Sequence, residues 1–177
     1  MARHTLVLGG ARSGKTRRAL ALADSVPAKG YIATAEAWDD EMRARIAAHK
    51  AERQGCGWVT IEAPLALPAA LSPDCLLAAG LGQPDRSVLV VDCLTLWLSN
   101  LMLGEHDMAD ATATLIAALA ETPARVILVS NEVGFGIVPD NALARRFRDA
   151  QGRLNQDLAA VVGTVELVVA GLVVKVK

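Results

Sequence analysis

The sequence predicts an α/β fold in which a mostly parallel β-sheet is covered by helices on both faces, in one domain spanning residues 1–177. Three observations lead there. Short runs of Val, Leu and Ile, too continuous to be strands with one wet face, recur along the chain and read as strands buried on both sides. Segments of helical spacing or Ala-rich composition alternate with them. A length of 177 residues suits one core, and no repeat or linker divides it.

The elements follow in order. Thr5–Leu8 is a continuous apolar strand. A helix follows the glycine-rich turn and runs to about Ser25, stopped by Pro27. Tyr31–Ala35 is a second strand. Asp39, Asp40 and Glu41 open a helix that continues to about Gln54, with Arg43, Arg45, Lys50 and Arg53 further along. Acids first and bases later complement the helix dipole. Gly55 and Gly57 end it, and Trp58–Glu62 is a third strand. Residues 63–86, rich in Ala, Leu, Pro and Gly, predict a short helix and loops. Ser87–Asp92 is a buried strand, Leu94–Leu103 a helix, Asp110–Glu121 an Ala-rich helix ended by Pro123, and Arg125–Ser130 another buried strand. After a polar, glycine-rich loop, Asp140 or Asn141 can cap a last long helix. Its apolar positions Leu143, Phe147, Leu154, Leu158 and Val161 recur at helical spacing. Val165–Val169 and Leu172–Val176 read as strands around Gly171.

Composition narrows the function. Apolar residues make up 53% and aromatics 3%, so the core is aliphatic. A net charge of −1 offers nothing to draw nucleic acid or an anionic membrane. No apolar run is long enough to span a bilayer; Leu94–Leu103 comes nearest and is interrupted by Ser99 and Asn100. Cys56, Cys75 and Cys93 are odd in number and widely spaced, which fits neither a disulfide framework nor a zinc site. A cytoplasmic enzyme without stable membrane insertion is the expectation.

The chemistry starts at Gly9-Gly10-Ala11-Arg12-Ser13-Gly14-Lys15-Thr16, which fits G-x-x-x-x-G-K-[ST] between a strand and a helix. Glycines let such a loop aim its N–H groups at phosphate oxygens, and the helix N-terminus adds positive potential. Lys15 can reach a β- or γ-phosphate, and the Thr16 hydroxyl can serve Mg²⁺. The fold class is thereby sharpened to a P-loop NTPase-like sheet. In such sheets ligands sit at the carboxyl ends of the strands, where Asp92 and the pair Asn131-Glu132 also fall. Asp92 ends its strand as a metal-binding carboxylate would, beside Thr16; its structural alternative is to cap the next helix. Glu132 can orient a nucleophile or a metal-bound water, or bridge to an arginine.

His49 shares a helix face with Met42, Ile46 and Arg53 at about 100° per residue, which alone suits a packed histidine. Arg45, Lys50 and Arg53 crowd it with positive charge, however, which disfavours imidazolium and would attract a polyphosphate. A neutral imidazole is the nucleophilic form. His4 and His106 lack such company and read as surface or loop residues. Arg145, Arg146, Arg148 and Arg153 read mainly as a solvated basic face, with Asp149 and Asp157 interspersed.

Four stretches carry a closer resemblance: the P-loop itself; Tyr31-Ile32-Ala33-Thr34 followed by Asp39-Asp40-Glu41-Met42 and Arg45-Ile46-x-x-His49-Lys50-x-x-Arg53; Asn131-Glu132-Val133-Gly134-x-Gly136-Ile137-Val138-Pro139; and Leu143-Ala144-Arg145-x-Phe147-Arg148-Asp149-x-x-Gly152-Arg153-x-Asn155-Gln156. Together they resemble the bifunctional adenosylcobinamide kinase / adenosylcobinamide-phosphate guanylyltransferase of cobalamin biosynthesis, from near residue 5 to the end of the chain and least across 63–86. The resemblance implies two reactions. ATP or GTP phosphorylates adenosylcobinamide, and GTP then gives GMP to adenosylcobinamide-phosphate through a covalent GMP–histidine, releasing pyrophosphate. It implies His49 as the nucleophile and nucleotide contacts at Gly9, Gly10, Ala11, Arg12, Ser13, Gly14, Lys15, Thr16, Ala33, Thr34, Ala35, Lys50, Ala51, Glu52, Arg53, Glu62 and Asp92. Lys15 is the second catalytic residue, Thr16 and Asp92 the Mg²⁺ ligands, and the assembly a homotrimer. Ala48 stands where a second histidine can precede the nucleophile in the family, and Gln54 where a proline often follows the arginine. Two other readings fit the P-loop: a small-molecule kinase with no covalent histidine, and a nucleotide-binding module without turnover.

Overall fold

Seven strands form one sheet in the order β3-β2-β4-β5-β1-β6-β7. The structure is a computed structural model that describes residues 3–36, 40, 47, 51, 55 and 57–177. The strands are β1 (Thr5–Gly9), β2 (Ala28–Ala33), β3 (Trp58–Glu62), β4 (Ser87–Asp92), β5 (Arg125–Asn131), β6 (Thr164–Val169) and β7 (Leu172–Lys175). All neighbours pair in parallel except β7, which folds back antiparallel on β6 through Ala170 and Gly171. Parallel pairing demands helical crossovers, and the described helices are α1 (Lys15–Ala23), α2 (Leu67–Ala70), α3 (Pro73–Ala78), α4 (Leu94–Leu103), α5 (Met108–Glu121) and α6 (Ala142–Val161).

Side-chain alternation along the strands divides the core in two. Val7, Val88, Val90, Ile127 and Val129 face α1 and pack on Ala19 and Ala23, small residues that let this helix lie close to the sheet. Leu6, Ile32, Leu89, Val91, Val126 and Leu128 face the other way, against Leu94, Trp97, Leu115, Leu119, Leu154 and Leu158 of α4, α5 and α6. Each such leucine, fully buried, is worth about 1.5–3 kcal/mol. Trp97 hides its ring and satisfies its indole N–H on the Leu65 carbonyl at 3.0 Å.

The buried strands and α4 fall where the sequence places them; the boundaries that moved have local causes. β2 starts at Ala28, because Lys29 and Gly30 pair with β3 and β4 although neither looks like a strand residue. It stops at Ala33, and just beyond it the Thr34 hydroxyl donates to the Cys93 carbonyl (2.7 Å) and accepts from the Cys93 N–H (2.8 Å). The first helix ends at Ala23 with Asp24 as C-cap, short of Ser25. Residues 63–86 hold two short helices and the 3₁₀ turn Pro84–Arg86, with Ser72 capping α3. Of the two candidate caps for α6, Asn141 takes the role, accepting from the Ala144 N–H at 2.7 Å. Of the helix expected between 39 and 54, Asp40, Ala47 and Ala51 are described and helical, and the rest lies outside the described residues.

His4 corrects the expectation of a surface residue. It is buried, donating from Nε2 to the Leu119 carbonyl (2.8 Å) while Nδ1 accepts from the Val126 N–H (3.0 Å). That pairing needs the neutral ring, and burial lowers its pKa from the usual 6.5. His106, by contrast, is exposed as expected. Among the described residues, no helix is long and apolar enough to cross a membrane.

Candidate functional site

The carboxyl ends of the central strands bring the expected site residues into one rim. Register fixes their order: Glu62 of β3 pairs with Ala33 of β2, and Ala33 with Asp92 of β4; two strands along, Asn131 of β5 pairs with Gly9 of β1. All stand at the carboxyl ends of parallel strands of one sheet, which is why residues far apart in sequence meet.

The loop from Gly10 to Gly14 leaves β1 through a crowded point. A Cβ on Gly9 would lie 2.4 Å from Ser13 Oγ and 2.7 Å from the Val168 carbonyl oxygen, so only glycine fits. Arg12 (φ 55°) and Gly14 (φ 99°) take left-handed conformations, which curl the chain and turn its N–H groups to one side. The Ser13 carbonyl accepts from the Gly171 N–H at 2.9 Å, tying the loop to the β6–β7 turn. The Lys15 ammonium donates to the Gly10 carbonyl at 3.1 Å, folded back over its own loop. Ser13 Oγ is buried with no hydrogen-bond partner.

Asp92 is the hub between loop and sheet. Its Oδ2 accepts from the Thr16 hydroxyl at 3.0 Å and from the Tyr31 hydroxyl at 2.9 Å. It does not cap the next helix: Cys93 is the N-cap of α4, and no side chain bonds there. A hydroxyl and a carboxylate side by side, both hard oxygen donors, suit Mg²⁺ shared with phosphate oxygens. Among the described residues no cluster of three His, Cys, Asp or Glu could hold a metal. Thr34, next along the rim, is buried, and its carbonyl accepts from the Asn100 amide at 2.9 Å. Cys93 beside it is sealed in, and burial pushes its thiol up to about 11, so it stays an unreactive neutral group.

Other expected residues sit apart from this hub. Among the described residues Glu132 bridges to no arginine; its Oε1 accepts from the Gly134 N–H at 2.6 Å and shapes its own turn. Arg145 is more than a solvated charge, donating to the Pro139 and Asp140 carbonyls, whereas Arg148 pairs with its neighbour Asp149. Ala51 is exposed. His49, Lys50, Glu52 and Arg53 lie outside the described residues.

Several residues at the rim or behind it carry roles that the sequence does not announce. Tyr31 looks like an ordinary strand aromatic, yet its hydroxyl orients Asp92. Thr95 accepts the Asn131 N–H at 2.9 Å. Gln151 and Asn155 lie one helical turn apart on α6, on the same face as Leu154 and Leu158, and are buried with them. Two amides on an apolar stripe were the available signal.

Residues 5–176 match the family described as cobinamide kinase / cobinamide phosphate guanyltransferase. The chain belongs to that family. The family's two reactions, phosphorylation of cobinamide and guanylyl transfer to the phosphate, define it as a bifunctional transferase. Among curated relatives, a bifunctional adenosylcobalamin biosynthesis protein CobU of Salmonella typhimurium is 46% identical, covering 97% of this chain and 98% of its own. CobP of Pseudomonas aeruginosa, of the same description, is 47% identical over 97% and 96%. CobU of Escherichia coli is 43% identical over 97% and 98%. Among solved structures, a KaiC-like protein of Pyrococcus horikoshii OT3 aligns with a TM-score of 0.48 and 18% identity, over 94% of this chain and 71% of that one, too slight a likeness to build on.

Proposed function

We propose that this chain works in cobalamin biosynthesis as one catalytic domain, using the rim around Gly9–Thr16 for both of its family's reactions. The carrying observation is the hub of Thr16, Tyr31 and Asp92 against the P-loop, with Ala33, Thr34 and Glu62 along the same edge. In the kinase reaction ATP or GTP phosphorylates the hydroxyl of adenosylcobinamide. Loop N–H groups from Gly9 to Thr16, Arg12 and Ser13 among them, cradle the β- and γ-phosphates, and Lys15 swings from the Gly10 carbonyl onto them. Stabilising charge in this way is the main lever in phosphoryl transfer. Thr16 and Asp92 would hold Mg²⁺, which would neutralise phosphate charge when bound.

In the second reaction His49 attacks the α-phosphorus of GTP. A P–N bond forms, the α–β P–O bond breaks, and pyrophosphate leaves into the loop. A phosphate oxygen of adenosylcobinamide-phosphate then attacks the same phosphorus, the P–N bond breaks, and His49 is regenerated with adenosylcobinamide-GDP as product. Lys50 and Arg53 steady charge at the α-phosphate, and Ala51 and Glu52 complete the nucleotide contacts. The family's pattern at His49 supports this assignment.

Two further properties belong to the same reading. The enzyme acts in the cytoplasm, in keeping with Cys75 and Cys93 as free thiols. It assembles as a homotrimer, in keeping with exposed Leu172, Val173 and Val174 on the sheet's last strand, an apolar edge that a second copy would cover; sedimentation of a monomer alone would contradict the assembly.

GTP labelled at the α-phosphate tests the covalent step. The expected result is acid-labile, alkali-stable label on the protein that disappears in His49→Ala. Phosphorylation of adenosylcobinamide without protein labelling, or labelling that survives His49→Ala, would refute it.

A further inference from the structure

Asn131 stands in the rim with no role assigned so far. It pairs in register with Gly9, the residue that opens the P-loop, and the following Glu132 N–H donates to the Gly9 carbonyl at 3.1 Å. Along β5, Val126 and Leu128 face the α4–α6 layer, and the Ser130 hydroxyl bonds Asn155 of α6 on that side. Ile127 and Val129 face α1. Alternation therefore puts Asn131 on the α1 face, the face of Gly9, Thr16 and Asp92.

Its backbone is clamped from the opposite face. The Asn131 N–H donates to Thr95 Oγ1 at 2.9 Å, and its carbonyl accepts from Asn155 Nδ2 at 3.1 Å. Asn155 is itself held: its Oδ1 accepts from the Ser130 hydroxyl (2.7 Å) and from Gln151 Nε2 (3.1 Å), and Gln151 also donates to Ser130 Oγ at 2.9 Å. An aliphatic core has no need of three buried polar side chains. Although Gln151 Oε1 is left without a partner, the bonds they make converge on one place, the peptide of Asn131. Yet the Asn131 side chain itself has a buried amide oxygen with no hydrogen-bond partner. Which end of an amide is oxygen and which nitrogen is assigned from its partners, so a ligand acceptor at this spot would turn the NH₂ toward it.

We propose that the Asn131 carboxamide donates a hydrogen bond to the γ-phosphate of the bound nucleotide and is a catalytic residue of the kinase reaction. The inference rests on the nucleotide-site reading above and adds a contact that reads γ rather than α. In that reaction the acceptor hydroxyl oxygen bonds to the γ-phosphorus, the bond from γ-phosphorus to the β-phosphate oxygen breaks, and the nucleoside diphosphate leaves. The hydroxyl proton passes to a phosphoryl oxygen and on to solvent. Asn131 neither takes nor gives a proton. A neutral donor suits the spot, because a carboxylate there would repel the phosphate.

The test measures GTP and GDP dissociation constants, kinase kcat and KM, and guanylyl transfer in wild type, Asn131→Ala and Asn131→Asp. Loss of one charge-stabilising donor lowers kcat by about 10²–10³-fold. Asn131→Ala is expected to fall in that range with KM for adenosylcobinamide little changed, and Asn131→Asp to fall further. GTP is expected to lose more affinity than GDP, and guanylyl transfer to drop by less than the kinase activity. Equal weakening of GTP and GDP, equal loss of both activities, or an unchanged kcat would each overturn the Asn131 assignment. Failure of wild type itself to bind GTP would instead overturn the nucleotide site.

Discussion

Ser130 and Asn131 are adjacent, yet the two sides of the sheet they face differ in kind. On the α1 side, Thr16 and buried Tyr31 both donate to Asp92, and Thr16 and Asp92 are themselves half-buried at the rim. On the other, Ser130, Gln151 and Asn155 bond to one another inside a closed apolar layer. On the proposed reading the first arrangement trades partners when a charged ligand arrives: among the described residues Lys15 holds a loop carbonyl alone, and the Thr16–Asp92 pair is the one proposed to hold a cation. The second has no exit to solvent and one output, the backbone of Asn131. On the proposed reading one face performs the chemistry and the other holds it in place, and substitutions on the two should therefore fail in different ways.

The largest effect is expected at the rim. Asp92→Ala should lower kinase turnover by about 10²–10³-fold, roughly 3–4 kcal/mol of transition-state stabilisation, with a thermal midpoint close to wild type. Steady-state phosphorylation beside a melting curve checks both. A large fall in stability with a small fall in turnover would erase the contrast between the faces.

The opposite signature is expected behind it. Asn155→Leu leaves the Ser130 hydroxyl and the Asn131 carbonyl short of a buried partner, and should cost about 2–3 kcal/mol. It should appear as a lower urea midpoint at unchanged slope. Nucleotide affinity should move less than in Asp92→Ala; an equal loss of both would place Asn155 in the rim itself.

A smaller effect sharpens the comparison at the far end of the sheet, where His4 bridges α5 and β5. Burial depresses its folded-state pKa, so the unfolded chain takes up the proton first. Stability from this group is complete above pH 6.5, its ordinary pKa, and declines as pH falls below that toward the depressed value. Urea midpoints over that window should fall in wild type and fall less in His4→Gln. Identical profiles would mean His4 carries no such linkage.

How much of this the sequence reveals depends on how local each cause is. β1, β4, β5 and α4 are legible because a continuous apolar run and its breakers lie within a few residues. The P-loop is legible because its geometry is set by glycines at fixed offsets. Lys29 and Gly30 gave no sign of joining β2, since their pairing comes from β3 and β4. The burial of His4 depends on Leu119 and Val126, more than a hundred residues away. Asp92 was legible as a strand-end acid, but its partner Tyr31 was not, because nothing local tells a strand tyrosine where its hydroxyl lands. The helix over 39–54 is legible from its acids-first, bases-later order, whereas the nucleophilic role of His49 owes its reading to the family pattern, and His49 itself lies outside the described residues.

Whether one loop serves both reactions is tested most directly by assaying both in Lys15→Ala. The account predicts that phosphorylation of adenosylcobinamide and protein labelling from α-labelled GTP fall together, each by about 10²-fold or more. Labelling at the wild-type rate with phosphorylation abolished would contradict it, because guanylyl transfer would then run from a triphosphate site other than Gly9–Thr16.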